Sequence, residues 1–172
     1  MSISFYDASV GTYTRILDSV AAILDKGAAF AADTGLDPQK IVETRLRDDM
    51  MPFHFQIVSV CHHSLGALQG MRDGRFSTPS FDLDKDYEGL QAMIGEAQAG
   101  VASFSEADVT EFAEKSMVFK VGERELPFTN ENFLLSFSLP NFYFHATTTY
   151  DILRMLGMPL SKIDFLGRMK VG

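Results

Sequence analysis

Near the start of the chain apolar residues recur at alternating steps of four and three, at Tyr6, Val10, Tyr13, Leu17, Val20 and Leu24. That spacing lays them along one stripe and predicts a core-facing helix from about Ser4 to Ala32. Ser4 with Asp7 three residues on forms a capping arrangement, and Gly35 supplies a stop. Asp37 followed by Pro38 reads as an N-cap with proline at the first helical position, so a short connecting helix is expected from Pro38 to Leu46. Pro52 opens a second long helix, whose broad apolar face carries Phe53, Ile57, Val60, Ala67, Leu68 and Met71, with Gly70 and Gly74 marking its end.

The stretch from Asp73 to Ser80 is rich in Gly, Ser and Pro and reads as a surface loop. Asp82 or Asp84 then caps a third helix with the stripe Tyr87, Leu90, Ile94, Ala97 and Val101, fading near Phe104. From Ser116 to Phe128 the period changes. Val118, Phe119 and Val121, then Gly122-Glu123, then Arg124 to Pro127, predict a two-stranded hairpin with glycine at the turn, packed over one end of the helices. Thr129 is placed to cap a fourth helix, with Phe128 and Phe133 as a hydrophobic staple. Pro140 predicts a kink near Leu139 or two consecutive helices, with Asn141 to Met155 helical and Gly157 as the stop. The segment from Met158 to Gly172 reads as irregular, but Phe165, Leu166 and Met169 are too apolar for a free tail. They are expected to pack back onto the helices or onto a second subunit.

These elements make the chain an all-α single domain over residues 1–172, an antiparallel four-helix bundle with a small β-hairpin before the last helix. At 172 residues, with 46% hydrophobic and 22% charged positions, it can bury a core without staples. One cysteine, Cys61, leaves no internal disulfide, and the first segment is not of the secretory kind, so a reducing cytoplasm is the natural compartment. Apolar runs are too interrupted to span a bilayer. A formal net charge of -8 with scattered Lys and Arg sets the mean field against a phosphate backbone, so neither a membrane nor a nucleic acid is an expected partner.

Candidate chemistry centres on histidine. His54, His62 and His63 lie on the second predicted helix and His145 on the fourth, and in an antiparallel bundle these two helices present side chains to each other. Neutral imidazole is a common ligand for zinc and similar metals. One helical turn after His145, however, stands Thr149, so only two of about three customary ligands are visible. The competing reading is that these are hydrogen-bonded core or surface histidines. Cys61 lies seven residues after His54, two turns along the same face and too far for a thiolate-imidazole pair. Thr147-Thr148-Thr149-Tyr150-Asp151 is unusual for a helix interior, and Tyr143, Tyr150 and Arg154 are placed either to line a polar pocket or to pack in the ordinary way.

Asn141-Phe142-Tyr143-Phe144-His145, Thr148, Tyr150 through Arg154, Gly157 and Lys162 through Gly167, together with Met51-Pro52-Phe53 and the Phe128-Thr129 step, resemble a bacterial domain-of-unknown-function family in the DinB/YfiT-like superfamily. The resemblance covers nearly the whole chain. It implies an up-down-down-up helix order, frequent homodimers, and a divalent metal held by three histidines, one from the second helix and two from a His-x-x-x-His pair on the fourth. Some such relatives are thiol-dependent transferases or isomerases. His63, or His62 less well, matches the first ligand and His145 the second; Thr149 stands at the third.

Three functions compete on this reading. The first in rank is a bundle that binds a small apolar or amphipathic ligand between helices two and four at a degenerate metal site, drawing on His63, His145, Thr149, Tyr143, Tyr150 and Arg154. Nine methionines and fifteen phenylalanines suit an adaptable aromatic-lined cavity. The second is a metal-dependent transferase using zinc or nickel, with His63 and His145 as ligands and Tyr143 or Tyr150 as proton donors. The third is a homodimeric interaction protein joined through the C-terminal segment.

Overall fold

The computed structural model describes residues 3–79 and 84–169. Asp82, one of the two expected caps, and residues 170–172 of the tail lie outside the described residues. The chain is mostly helical with a small three-stranded sheet.

Ser4 accepts from the Asp7 amide (3.0 Å) and donates to its carboxylate (2.9 Å), as a cap should. A π-helical turn at Asp7–Gly11 leads into α1, Thr12–Thr34, which ends at Gly35 in the left-handed region (φ 71°). Asp37 caps α2, Pro38–Glu43, by accepting from the Gln39 amide (2.9 Å). The second long helix is built from α3, Phe53–Cys61, a π-helical turn at His62–Gly66, and α4, Ala67–Asp73. Gly74, not Gly70, terminates it in the left-handed region. Gly70 serves a close approach instead: a Cβ there would lie 3.0 Å from the Arg75 carbonyl and 3.0 Å from the Phe76 ring.

The stretch read as a loop contains β1, Arg75–Ser77, which pairs in parallel with β2, Ser116–Val121; β2 continues antiparallel into β3, Arg124–Thr129. Three residues are too few for a strand period to stand out from a Gly- and Ser-rich background, and a parallel partner forty residues on leaves no local signal. The pairing sets Phe76 against Phe119, both buried. The third helix, α5, Tyr87–Ala102, is capped by Asp86, which accepts from the Gly89 amide (2.8 Å). After it comes α6, Glu106–Ala113, with a Ser105/Asp108 capping box. Asn130 ties the ends of α4 and α6 together through its amide, donating to the Met71 (2.9 Å) and Phe112 (2.7 Å) carbonyls.

Thr129 caps α7, Asn130–Phe133, and the Phe128 and Phe133 rings meet at 5.8 Å as a staple. A π-helical turn at Leu134–Ser138 then passes into α8, Leu139–Met155, with Pro140 in its first turn. The wider turn absorbs the proline's missing donor and ring bulk just before it, which accounts for the irregularity expected at this point. The tail is not irregular throughout: Ser161 and Asp164 form a capping box on α9, Lys162–Leu166, which lies on α1. Lys26 pairs with Asp164, and Phe165 meets Tyr150 edge-on at 6.1 Å.

α1 packs against α5 and α8, and α3 packs against the same two, enclosing Leu17, Val20, Phe53, Ile57, Leu90 and Phe142 at 0% exposure. Among the described residues no helix is long and apolar enough to cross a membrane.

Candidate functional site

α3 and the π-helical turn that follows it both pack on α8, and His63 on that turn comes together with His145 on α8. The imidazole centroids of His63 and His145 lie 5.9 Å apart, with ring planes only 11° from parallel. Beside them is a cavity of about 220 Å³ lined by Phe55, Ser59, His63, Phe76, Thr78, Pro79, Phe119, Phe137, Asn141 and His145. Ser59, His63, Phe76 and Phe119 form its buried floor, and Thr78 stands exposed at the rim.

The tautomer of His145 follows from its neighbours. The Gln56 side-chain amide donates from Nε2 to the Met51 carbonyl (2.8 Å), which turns Oε1 toward His145 Nδ1 (2.8 Å). An amide oxygen only accepts, so Nδ1 carries the proton and Nε2 is left with the lone pair. Burial pushes the His145 pKa down to about 4. Burial, with repulsion from His62 and His145, pushes that of His63 down to about 3. Both rings are therefore neutral at physiological pH.

Two floor atoms have no hydrogen-bond partner among the described residues: Ser59 Oγ and His63 Nδ1. They are four residues apart on one helical face. Leaving such groups buried and unpaired costs about 1–3 kcal/mol each, so an orphan pair beside a cavity marks a place prepared for something else.

The other sequence candidates go elsewhere. Thr149 is fully buried, and its hydroxyl donates to the His145 carbonyl (2.9 Å), the preceding turn of its own helix. Tyr143 accepts from Arg15 on α1 (3.4 Å), Tyr150 packs on Phe165, and Arg154 donates to the Met158 carbonyl (2.9 Å). None of these four lines the cavity with His63 and His145. His62 donates from Nε2 to the Ser77 carbonyl (2.7 Å) and lies against Phe76 (4.3 Å), so it anchors β1. Cys61 donates to the Met93 carbonyl (3.6 Å), and burial pushes its thiol up to about 12, far from a nucleophile.

A three-histidine metal centre does not fit these residues. Two imidazoles are present, the third position is a threonine committed to its own backbone, and among the described residues no group of three His, Cys, Asp or Glu side chains converges. A catalytic zinc site uses about three protein ligands. What surrounds the cavity is an imidazole with a lone-pair nitrogen, phenyl walls and, sealed beneath the surface, an unpaired serine hydroxyl and an unpaired imidazole nitrogen. Ser59 was within reach of sequence reasoning, since it lies one turn before His63. Gln56, Phe76 and Phe119 were not, because they reach the site through tertiary pairing.

No curated protein matches the chain. The crystal structure of a DinB family member from Shewanella denitrificans is similar to it, with 27% sequence identity and a TM-score of 0.81 over 97% of this chain and 94% of that one. The model of the domain of unknown function DUF1993 matches residues 5–166, nearly the full length of the fold just described, so the chain belongs to that family.

Proposed function

We propose that this protein is an up-down-down-up helical bundle that binds a small molecule between α3 and α8, at the former position of a metal centre. The observation that carries the reading is the orphan pair, Ser59 Oγ and His63 Nδ1, buried on the floor of a cavity whose walls are otherwise phenyl rings. A ligand offering one or two hydrogen bonds would relieve both atoms and bury apolar surface in the same step. The resemblance read from the sequence supports the location, since it implies ligands from the second and fourth helices.

A thermal-shift screen of small uncharged metabolites and divalent metals, on protein purified without an affinity tag, tests this. An organic ligand should raise the midpoint by mass action and move the amide resonances of Ser59, His63 and His145. Metal analysis supplies the opposing outcome. The metal-dependent enzyme reading is favoured by one observation, the Gln56 carbonyl that orients His145 as outer-shell groups orient metal ligands. Less than about a tenth of an equivalent of transition metal after reconstitution removes that reading; a full equivalent, displaced by no organic ligand, removes ours.

Homodimerisation through the C-terminal segment is a separate proposal. It is supported by Ile163 (71% exposed) and Met169 (60% exposed) on the segment that covers α1. A monomeric solution mass, unchanged by Ile163→Asp, would refute it.

A further inference from the structure

We infer that the ligand class of the α3/α8 cavity is an uncharged planar ring bearing one hydroxyl, a phenol-type molecule. The inference rests on the small-molecule reading above and narrows it by size, charge and hydrogen-bond inventory.

Size comes first. A dry cavity of about 150 Å³ accepts benzene. A pocket of about 220 Å³ accommodates a single ring with a small substituent. The walls agree, because Phe55, Phe76, Phe119 and Phe137 supply apolar surface on several sides. Phe76, Phe119 and Phe137 also pack on one another, at centroid distances of 4.6 to 6.4 Å. Their faces are largely taken up by that packing, so they form a hydrocarbon wall and not an open cage for a cation.

Charge comes next. Among the described residues no Asp, Glu, Lys or Arg lines the cavity. A carboxylate ligand would have to bring in a proton to ionise an imidazole held neutral by burial, and an ammonium ligand would find no counter-ion. The net charge of -8 further opposes anions.

The hydrogen-bond inventory selects among neutral rings. With Nδ1 of His145 bound to Gln56, the nitrogen of that ring left for an occupant is Nε2, an acceptor. It calls for a donor on the ligand. Ser59 Oγ, sealed beneath the cavity in the ligand-free fold, donates or accepts and, once its side chain turns to the occupant, completes the pairing of a hydroxyl, which does both. A ring without a hydroxyl leaves the polar floor unpaired; a ring with an ester or ketone alone has nothing to give Nε2.

Calorimetric titration with phenol, toluene, benzoate and benzylammonium, each followed by amide chemical-shift mapping, tests the class. Phenol should bind at the cavity about tenfold more tightly than toluene, the scale of one good buried hydrogen bond, and the two ions should not bind there. His145→Leu should reduce phenol to the affinity of toluene while toluene itself binds as before, which also shows that the variant is folded. Ser59→Ala, the milder change, should weaken phenol in the same direction. Benzoate, benzylammonium or toluene binding as well as phenol at these resonances overturns the ligand class and leaves the small-molecule site standing. Shifts from no probe at Ser59, His63 or His145 overturn the proposed function itself.

Discussion

Two groups of buried polar atoms lie side by side in this core and are treated in opposite ways. Ser138, fully buried on the π-helical turn before α8, donates to the His63 carbonyl (2.8 Å). Its one proton is thereby used, so Tyr13 on α1 is the donor in the 2.8 Å contact between their hydroxyls. Every member of that chain has a partner, and it fastens α1 to the π-helical turns that follow α3 and precede α8. On the same His63, the ring nitrogen Nδ1 and the nearby Ser59 hydroxyl have none among the described residues. One residue thus belongs to a finished network through its backbone and to an unfinished one through its side chain. The lesson is that burial alone does not separate structural from functional polar groups; the completeness of their hydrogen bonding does.

Acid should separate the two groups most strongly. In the folded protein His63 and His145 ionise only near about 3 and about 4, against about 6.5 in the unfolded chain. Between these limits the unfolded state binds more protons, so stability is complete above about pH 6.5 and falls as the pH is lowered toward 4. The slope is up to about 1.4 kcal/mol per pH unit for each ring. Urea titrations at several pH values should show this loss, and His145→Gln should flatten it. The Tyr13 and Ser138 hydroxyls do not titrate in this window. A stability that stayed level from pH 7 to pH 5 would contradict the buried, neutral imidazoles.

Breaking the finished network comes second. Ser138→Ala strands both the Tyr13 hydroxyl and the His63 carbonyl, and a loss of about 2–4 kcal/mol is expected by chemical denaturation. Tyr13→Phe removes one donor and leaves the Ser138 bond to His63 in place, so a smaller loss of about 1 kcal/mol should follow. Ser59→Ala has the opposite sign: it deletes a buried hydroxyl that nothing pairs, and should stabilise the ligand-free protein by up to about 1 kcal/mol. A Ser59→Ala variant less stable than the parent by more than about 1 kcal/mol would place Ser59 with the structural group and remove the contrast.

Much of this molecule is legible along the chain. The stripe through Tyr13, Leu17, Val20 and Leu24, the Asp37-Pro38 start, the Thr129 cap with its Phe128 and Phe133 staple, and the turn at Gly122 all carry local signals that the structure follows. Helix α6 was missed although Ser105 and Asp108 mark its start, because only Val109 and Phe112 are buried in it and two positions do not define a stripe. Helix α9 was missed for the same reason, with none of its residues fully buried. At the site, His63 and His145 stood out by residue type. Tyr143, Tyr150 and Arg154 were grouped with them by nearness in sequence, whereas on a helix such neighbours point around the axis and find different partners; Thr149 shares the face of His145 but spends its hydroxyl on the His145 carbonyl.

By itself the sequence determined the run of the long helices and which of their faces turn inward, because caps, glycines and apolar period act over one or two turns. It also placed one imidazole on each of two long helices. Only the tertiary structure decided that these rings meet at 5.9 Å, that a parallel strand brings Phe76 and Phe119 in as walls, and that Gln56 sets the tautomer of His145. Those facts depend on contacts between residues 43 to 89 apart in the chain, and no local rule encodes the angle at which two packed helices present a side chain to each other.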